Sequence, residues 1–134
     1  MDYELKVAVR HRAGERCEYC HLPAAFFEAP AQIDHIIPQK HGGATASENL
    51  AFSCFFCNSY KGPNLSGIDP VSGEIIRLFH ARRDAWAEHF MWNGAALVGR
   101  TGVGRTTIDV LNINHPFHLA LRQALMDEGA FPLP

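Results

Sequence analysis

The alternation of apolar and polar positions along the chain predicts a mixed order of short helices and strands. Residues 3–12 can form a helix, which Gly14 would end just before the first cysteine. Residues 31–37 have the composition of a β-strand, and residues 49–53 resemble a second one. The segment 38–48 is polar and contains two glycines, so it is expected to be the loop that joins these strands.

The second half of the chain continues this mixture of elements. Residues 55–61 can open a helix that Gly62 terminates, which completes the order strand, loop, strand, helix. Beyond a turn-rich section, the pattern predicts a strand over 75–79, an amphipathic helix over 81–91, a short strand at ALVG, a helix from Thr101 to about Asn112, and a last helix with Pro116 in its first turn and Gly129 past its end. Together these elements predict an α+β fold.

Length and composition are those of an ordinary globular protein. A chain of 134 residues favours a single domain, 1–134, that is large enough to bury a core. No apolar run approaches the roughly 20 residues needed to cross a bilayer. The N-terminal sequence lacks the apolar segment of a signal peptide, so a cytoplasmic protein is expected.

The charge balance limits the kinds of nucleic-acid contact that are expected. A formal net charge of −2 counts against a protein that coats nucleic acid by bulk attraction, but it allows a local basic face. Candidate basic residues are Lys40, Lys61, Arg77, Arg82, Arg83, Arg100 and Arg105. For Arg82 and Arg83 the two interpretations are a solvated helix face and a contact with the DNA backbone. The aromatic residues Trp86, Phe90 and Trp92 are expected in the core, rather than in a base-stacking platform.

The four cysteines form two Cys-x-x-Cys pairs, Cys17 with Cys20 and Cys54 with Cys57. In a cytoplasmic chain this pattern favours a metal site over disulfides. Zinc prefers four tetrahedral ligands, and a site with four thiolates has no open position, so this zinc would be structural. The long segment between the pairs would then be a hairpin whose ends return to the metal. Buried free thiols, a redox pair and a disulfide are the alternatives.

A second group of chemically versatile residues lies between and beside the cysteines. Asp34 and His35 are neighbours near the end of the first predicted strand, and a hairpin would place Asn49 opposite His35. Asn58 lies on the helix that Cys54 and Cys57 would hold. Taken singly, each residue has an ordinary structural interpretation, such as a turn, a cap or a solvated side chain. Their occurrence together favours one shared site.

These residues resemble the motif of the HNH endonuclease family, with Asn58 in the position where histidine is usual. The resemblance covers residues 15–62, and it implies a zinc-braced β-hairpin and helix around a divalent metal (the ββα-metal core). Further short strands and helices would pack on this core, with residues 63–134 as a C-terminal extension. The matching residues are Cys17, Cys20, Asp34, His35, Asn49, Cys54, Cys57, Asn58, Lys61 and Gly62.

The resemblance also implies a role for each residue in hydrolysing a phosphodiester bond. His35 would be the general base, since a neutral imidazole can take a proton from water near neutral pH. Asn49 would orient His35 or its strand. Asp34 and Asn58 would hold one catalytic divalent cation, and oxygen ligands favour Mg²⁺ or Mn²⁺. The expected substrate contacts are Lys61, Lys40, Arg82 and Arg83.

Three functions remain open on this basis. The first is a metal-dependent HNH endonuclease that acts on DNA, for which a homodimer is conceivable. The second is a zinc-stabilised nucleic-acid-binding module with an inactive nuclease site. A pure binder has no need for the base His35, and the near-neutral charge suits a binder poorly. The third is a zinc-stabilised interaction protein, which would leave the Asp34, His35, Asn49 and Asn58 set without a purpose.

Overall fold

The computed structural model describes residues 1–132 and has an α+β architecture, as predicted. Residues 133 and 134, the end of the predicted domain, lie outside the described part. The helices are α1 (Tyr3–Arg12), α2 (Phe55–Lys61), α3 (Trp86–His89), α4 (Gly102–Val110) and α5 (Pro116–Asp127). The strands are β1 (Gln32–His35), β2 (Leu50–Ser53), β3 (Ser66–Ile68), β4 (Ile75–Arg77), β5 (Phe90–Asn93) and β6 (Ala96–Gly99).

The strands pair as three separate antiparallel hairpins: β1 with β2, β3 with β4, and β5 with β6. In the first hairpin His35 lies opposite Leu50, and Asp34 lies opposite Ala51. Asn49 therefore comes one residue before Leu50, the residue opposite His35. The Asn49 carbonyl accepts a hydrogen bond from the amide of Ile36 at 2.9 Å. The predicted hairpin is confirmed, with this small difference in register.

Local capping explains where the helices of the first half begin and end. The Asp2 carboxylate accepts a hydrogen bond from the amide of Glu4 at the start of α1. The thiol of Cys54 accepts from the amide of Cys57 at the start of α2. Gly62 ends α2 with φ of +50°, a conformation that glycine adopts without strain. The predicted helices 3–12 and 55–61 are confirmed.

The predicted helix over 81–91 is wrong. Only Trp86–His89 is helical, and Phe90 already starts strand β5. The preceding turn binds its own backbone donors to side chains: the Asp84 carboxylate accepts from the amide of His80 at 2.8 Å, and the His80 ring accepts from the amide of Arg82 at 3.2 Å. Such side-chain bonds offer the backbone an alternative to the helix, and apolar periodicity does not reveal them.

Other expectations in the second half are confirmed. Helix α4 starts at the Thr101 cap, whose hydroxyl accepts from the amide of Gly104 at 3.1 Å. Helix α5 has Pro116 in its first turn, and the ALVG strand is β6. Strand β3 lies in the section that was expected to contain only turns.

One large hydrophobic cluster connects the cysteine region with the second half of the chain. It includes Tyr19 and Phe79, whose rings meet edge to face with centroids 6.2 Å apart. Phe90 is buried in this cluster, and Trp86 and Trp92 pack against it, in agreement with their expected place in the core. A smaller cluster of Val9, Leu50 and Phe52 lies between α1 and β2. Within residues 1–132, no helix is long and apolar enough to cross a bilayer.

Candidate metal centre and hydrolytic cleft

The four cysteines form one buried cage. Their sulfur atoms all lie within 4.8 Å of one another, and no cysteine is more than 6% exposed. Cys17 and Cys20 come from the turn that follows α1, whereas Cys54 and Cys57 come from the start of α2. The β1–β2 hairpin lies between the pairs in sequence and returns the chain to the cage, as the spacing predicted.

The geometry of the cage suits a tetrahedral metal. The Sγ atoms of Cys20 and Cys54 are 3.9 Å apart, and zinc–sulfur bonds of about 2.3 Å place two tetrahedral ligands about 3.8 Å apart. All four thiols are free, because none of them forms a disulfide. The cysteines are therefore positioned for a structural metal, and four sulfur ligands fit zinc.

A buried arginine that belongs to no sequence motif lies beside the cage. Arg122 shares the buried face of α5 with Leu125, and its guanidinium donates to the carbonyls of Ala95 and Ile113 at 2.8 and 3.1 Å. Burial lowers the pKa of Arg122, while the nearby cysteines, Cys20 foremost, raise it. A zinc ion with four thiolates carries a net negative charge, which this cation would partly offset. Its place in a largely apolar helix was the only sequence signal.

The second site is an open cleft of about 280 Å³ between β1 and α2. Three of the predicted site residues, Asp34, His35 and Asn58, line it together. The His35 ring is half-buried, and its Nε2 lies 2.8 Å from the Thr45 hydroxyl. Thr45 comes from the loop between the two strands, so this loop contacts the imidazole directly.

Asn49, the fourth predicted residue, lies under the loop and outside the cleft lining. Its Oδ1 accepts from the amide of Ile37 at 2.8 Å, and its Nδ2 donates to the carbonyls of Ile37 and Ala44 at 3.0 and 2.9 Å. Gly43 makes this packing possible, because a Cβ there would lie 1.6 Å from the Ile37 carbonyl oxygen. Asn49 thus contacts the backbone that follows His35, and has no bond to the imidazole itself.

Asp34 lies at the inner end of the cleft and is only 4% exposed. Its Oδ2 accepts from the Tyr19 hydroxyl at 2.5 Å, and its Oδ1 accepts from the Lys61 ammonium at 3.2 Å. Burial raises the pKa of Asp34, and the charge of Lys61 opposes this increase. Burial and the neighbouring Asp34 charge likewise raise the pKa of Tyr19.

Two of the four expected substrate contacts are corrected by this structure. Lys61 is 1% exposed, and its ammonium is surrounded by internal acceptors, so it does not face a substrate. Arg82 is largely buried in an ion pair with Glu18. Lys40 and Arg83 are exposed, as a backbone contact requires. Sequence alone did not distinguish the internal cations from the exposed ones, because all four residues are cations near other polar residues.

The donor set of the cleft is compatible with a hard divalent cation. The Asn58 side chain has a free amide oxygen within the described contacts, and each Asp34 oxygen accepts one hydrogen bond, although a carboxylate oxygen has two acceptor directions. Carboxylate and amide oxygens are ligands that Mg²⁺ and Mn²⁺ prefer. Asp34 is, however, more buried and more fully engaged than the expected role implied.

Comparison with known proteins confirms the resemblance that the motif indicated. Residues 17–64, which contain both the cage and the cleft, match the family model described as HNH endonuclease. The chain is also similar to Septu protein PtuB of Bacillus thuringiensis, with 25% identity over 112 residues, or 82% of this chain and 41% of that protein. The chain therefore spans about two fifths of the length of this curated relative. No solved structure is significantly similar to the chain.

Proposed function

We propose that this protein is a metal-dependent HNH-type endonuclease that hydrolyses phosphodiester bonds in DNA. The observation that carries the proposal is that Asp34, His35 and Asn58 line one open cleft beside a closed cysteine cage. Cleft and cage both lie in the segment that matches the HNH endonuclease model. Hydrolysis of a phosphodiester requires an accessible general base and, close to it, oxygen ligands for a divalent cation.

His35 is the proposed general base. Its Nε2 contacts the Thr45 hydroxyl at 2.8 Å, and when this hydroxyl accepts the Nε2 proton, Nδ1 is the basic nitrogen. A neutral imidazole then takes a proton from the attacking water. Asn49 supports this step indirectly, because it holds the segment between His35 and Thr45 through three backbone hydrogen bonds.

Asp34 and Asn58 are the proposed ligands of one catalytic divalent cation, Mg²⁺ or Mn²⁺. When bound, such a cation would polarise the scissile phosphate and stabilise the leaving oxygen. The cage zinc has a different task, since four thiolates leave no position for water or phosphate. Its proposed role is to fix α2, which carries Asn58 directly after Cys57.

Two exposed cations outside the cleft lining are the proposed contacts with the DNA backbone. Lys40 lies on the loop that follows β1, and Arg83 lies in the turn before α3. We place Arg83 on a surface that the C-terminal extension adds to the motif core, within one domain, so that the extension widens the contact with DNA. We propose that the enzyme acts in the cytoplasm, and a homodimer would allow it to cut both strands.

Cleavage of supercoiled plasmid DNA tests this proposal. The purified protein is incubated with Mg²⁺ or Mn²⁺, with and without EDTA, together with the variants His35→Ala and His11→Ala. The second variant removes an exposed histidine of α1 and is the matched control. Loss of a general base is expected to lower cleavage about 10²- to 10⁴-fold, whereas His11→Ala retains cleavage and both variants retain their zinc.

The opposite results are equally informative. Folded, zinc-loaded protein that binds DNA but never cuts it would favour the binding module with an inactive nuclease site. Cleavage that persists in His35→Ala would refute the assignment of the base.

A further inference from the structure

The buried side chain of Lys61 belongs to α2, but in the described part of the chain its polar contacts are all with β1 and the residue after it. Its ammonium donates to Oδ1 of Asp34 at 3.2 Å, to the carbonyl of His35 at 3.2 Å and to the carbonyl of Ile36 at 3.1 Å. A lysine ammonium has three donors, so these three acceptors satisfy it fully. The side chain is therefore a fixed link between the helix of Asn58 and the backbone of His35.

The same network reaches the cysteine cage. The other oxygen of Asp34 accepts from the hydroxyl of Tyr19, which is fully buried and lies in the turn between Cys17 and Cys20. Trp86 donates its indole N–H to the Tyr19 carbonyl at 3.0 Å, which fixes this turn against α3. Tyr19, Asp34 and Lys61 thus connect the cage to the strand of the general base.

Stability alone does not explain a buried ion pair at this position. Taking two charges out of water costs several kcal/mol each, and apolar residues of similar volume often stabilise a protein equally well or better. Here the negative partner, Asp34, also lines the cleft. The pair therefore places the Lys61 ammonium on a carboxylate that has two acceptor directions unused.

We propose that Lys61 is a positioning residue that fixes the His35 backbone and shares the Asp34 carboxylate with the divalent cation of the cleft. This inference rests on the proposed function, since it assigns Asp34 to that cation. Two cations on one buried carboxylate repel each other. Lys61 therefore weakens divalent-cation binding while it keeps His35 in place. Its removal should raise the affinity for the divalent cation and loosen the position of His35.

The variant Lys61→Met separates this role from a merely structural one. Methionine has a similar length and no charge, so Mn²⁺ affinity, measured by the EPR signal of free Mn²⁺, is expected to rise about tenfold or more. Cleavage by the same variant is expected to fall, because the His35 carbonyl then loses the Lys61 donor that holds it. The matched control, Lys6→Met, removes an exposed lysine from α1 and leaves the Mn²⁺ affinity unchanged. Unchanged or weaker Mn²⁺ binding in Lys61→Met would overturn the proposal.

A measurement on the unaltered protein keeps the proposal testable if Lys61→Met does not fold. Buried ammonium groups exchange protons slowly, so the Lys61 ¹⁵Nζ resonance can be followed by NMR during a titration with Mg²⁺. A shift that saturates together with the side-chain amide of Asn58 is expected. A Lys61 resonance that stays constant while Asn58 saturates, or the absence of any shift at millimolar Mg²⁺, would overturn the proposal.

The two proposals fail in different ways. Protein that shows the Lys61 responses in Mn²⁺ and Mg²⁺ binding but never cuts DNA would refute the proposed function alone. Protein that cuts DNA through His35, without those responses, would refute only the role of Lys61.

Discussion

The cysteine cage and the hydrolytic cleft lie on adjacent parts of the same elements but are built on opposite principles. The cage is closed: its four thiols are buried and converge on one point. The cleft is open, and within residues 1–132 the His35 ring has one hydrogen-bond partner, Thr45. From this difference we infer that a site that must stay accessible depends on the contacts behind it, whereas the cage residues converge directly on one point.

Helix α2 makes this contrast visible at two consecutive residues. Cys57 points into the cage, while Asn58 lines the cleft. Neighbouring helical residues point about 100° apart, so one short helix can serve both sites at once. Anything that loosens the cage should therefore disturb the cleft, while changes in the cleft should leave the cage intact.

The largest effect is expected when the cage loses its metal. Structural zinc contributes roughly 10–16 kcal/mol in small peptides, so chelation of zinc, or the variant Cys57→Ser, should unfold the α2 region and abolish cleavage. Circular dichroism and thermal unfolding, measured together with the zinc content, check this expectation. If metal-free protein kept the same unfolding temperature, the cage would not stabilise α2 and the contrast between cage and cleft would be refuted.

An intermediate effect is expected from the support behind the cleft. Asn49→Ala removes three hydrogen bonds and leaves the half-buried amide of Ile37 without its partner, and such a loss costs up to about 1–3 kcal/mol when the orphaned group is fully buried. The unfolding free energy should fall and cleavage should decrease, while the zinc content stays the same. Asn93→Ala, at an exposed position of β5, is the control. Equal stability of the two variants would show that the loop does not depend on Asn49.

The smallest effect on the fold is expected at Arg83, and its neighbour Arg82 provides the contrast. Arg83→Ala should leave stability unchanged, weaken DNA binding and lower the slope of log affinity against log salt by about one, as for a lost phosphate contact. Arg82→Ala should instead destabilise the fold, because it leaves the Glu18 carboxylate without its cation. Denaturant unfolding and fluorescence anisotropy with labelled DNA at several salt concentrations separate the two. If Arg83→Ala destabilised the fold and Arg82→Ala weakened only DNA binding, the roles assigned to the two arginines would be wrong.

Much of the motif region could be predicted because its signals are local. The paired cysteines, the glycine that ends α2 and the alternating strands each act over a few residues, so pattern and geometry agree. The prediction of a helix over 81–91 was wrong because another local effect outweighed the apolar pattern. The side chains of His80 and Asp84 accept hydrogen bonds from backbone amides within a turn. Periodicity of apolar residues carries no information about such bonds.

The sequence by itself determined most of the elements, the composition of the cage and the identity of His35, Asn49 and Asn58 as candidates, but it did not predict strand β3 or the early end of the helix over 81–91. Only the tertiary structure decided that Lys61 and Arg82 are internal cations, whereas Lys40 and Arg83 face solvent. The physical reason is that the surroundings of a charge depend on what packs over it. Residues distant in sequence set those surroundings: Asp34 for Lys61 across 27 positions, and Glu18 for Arg82 across 64.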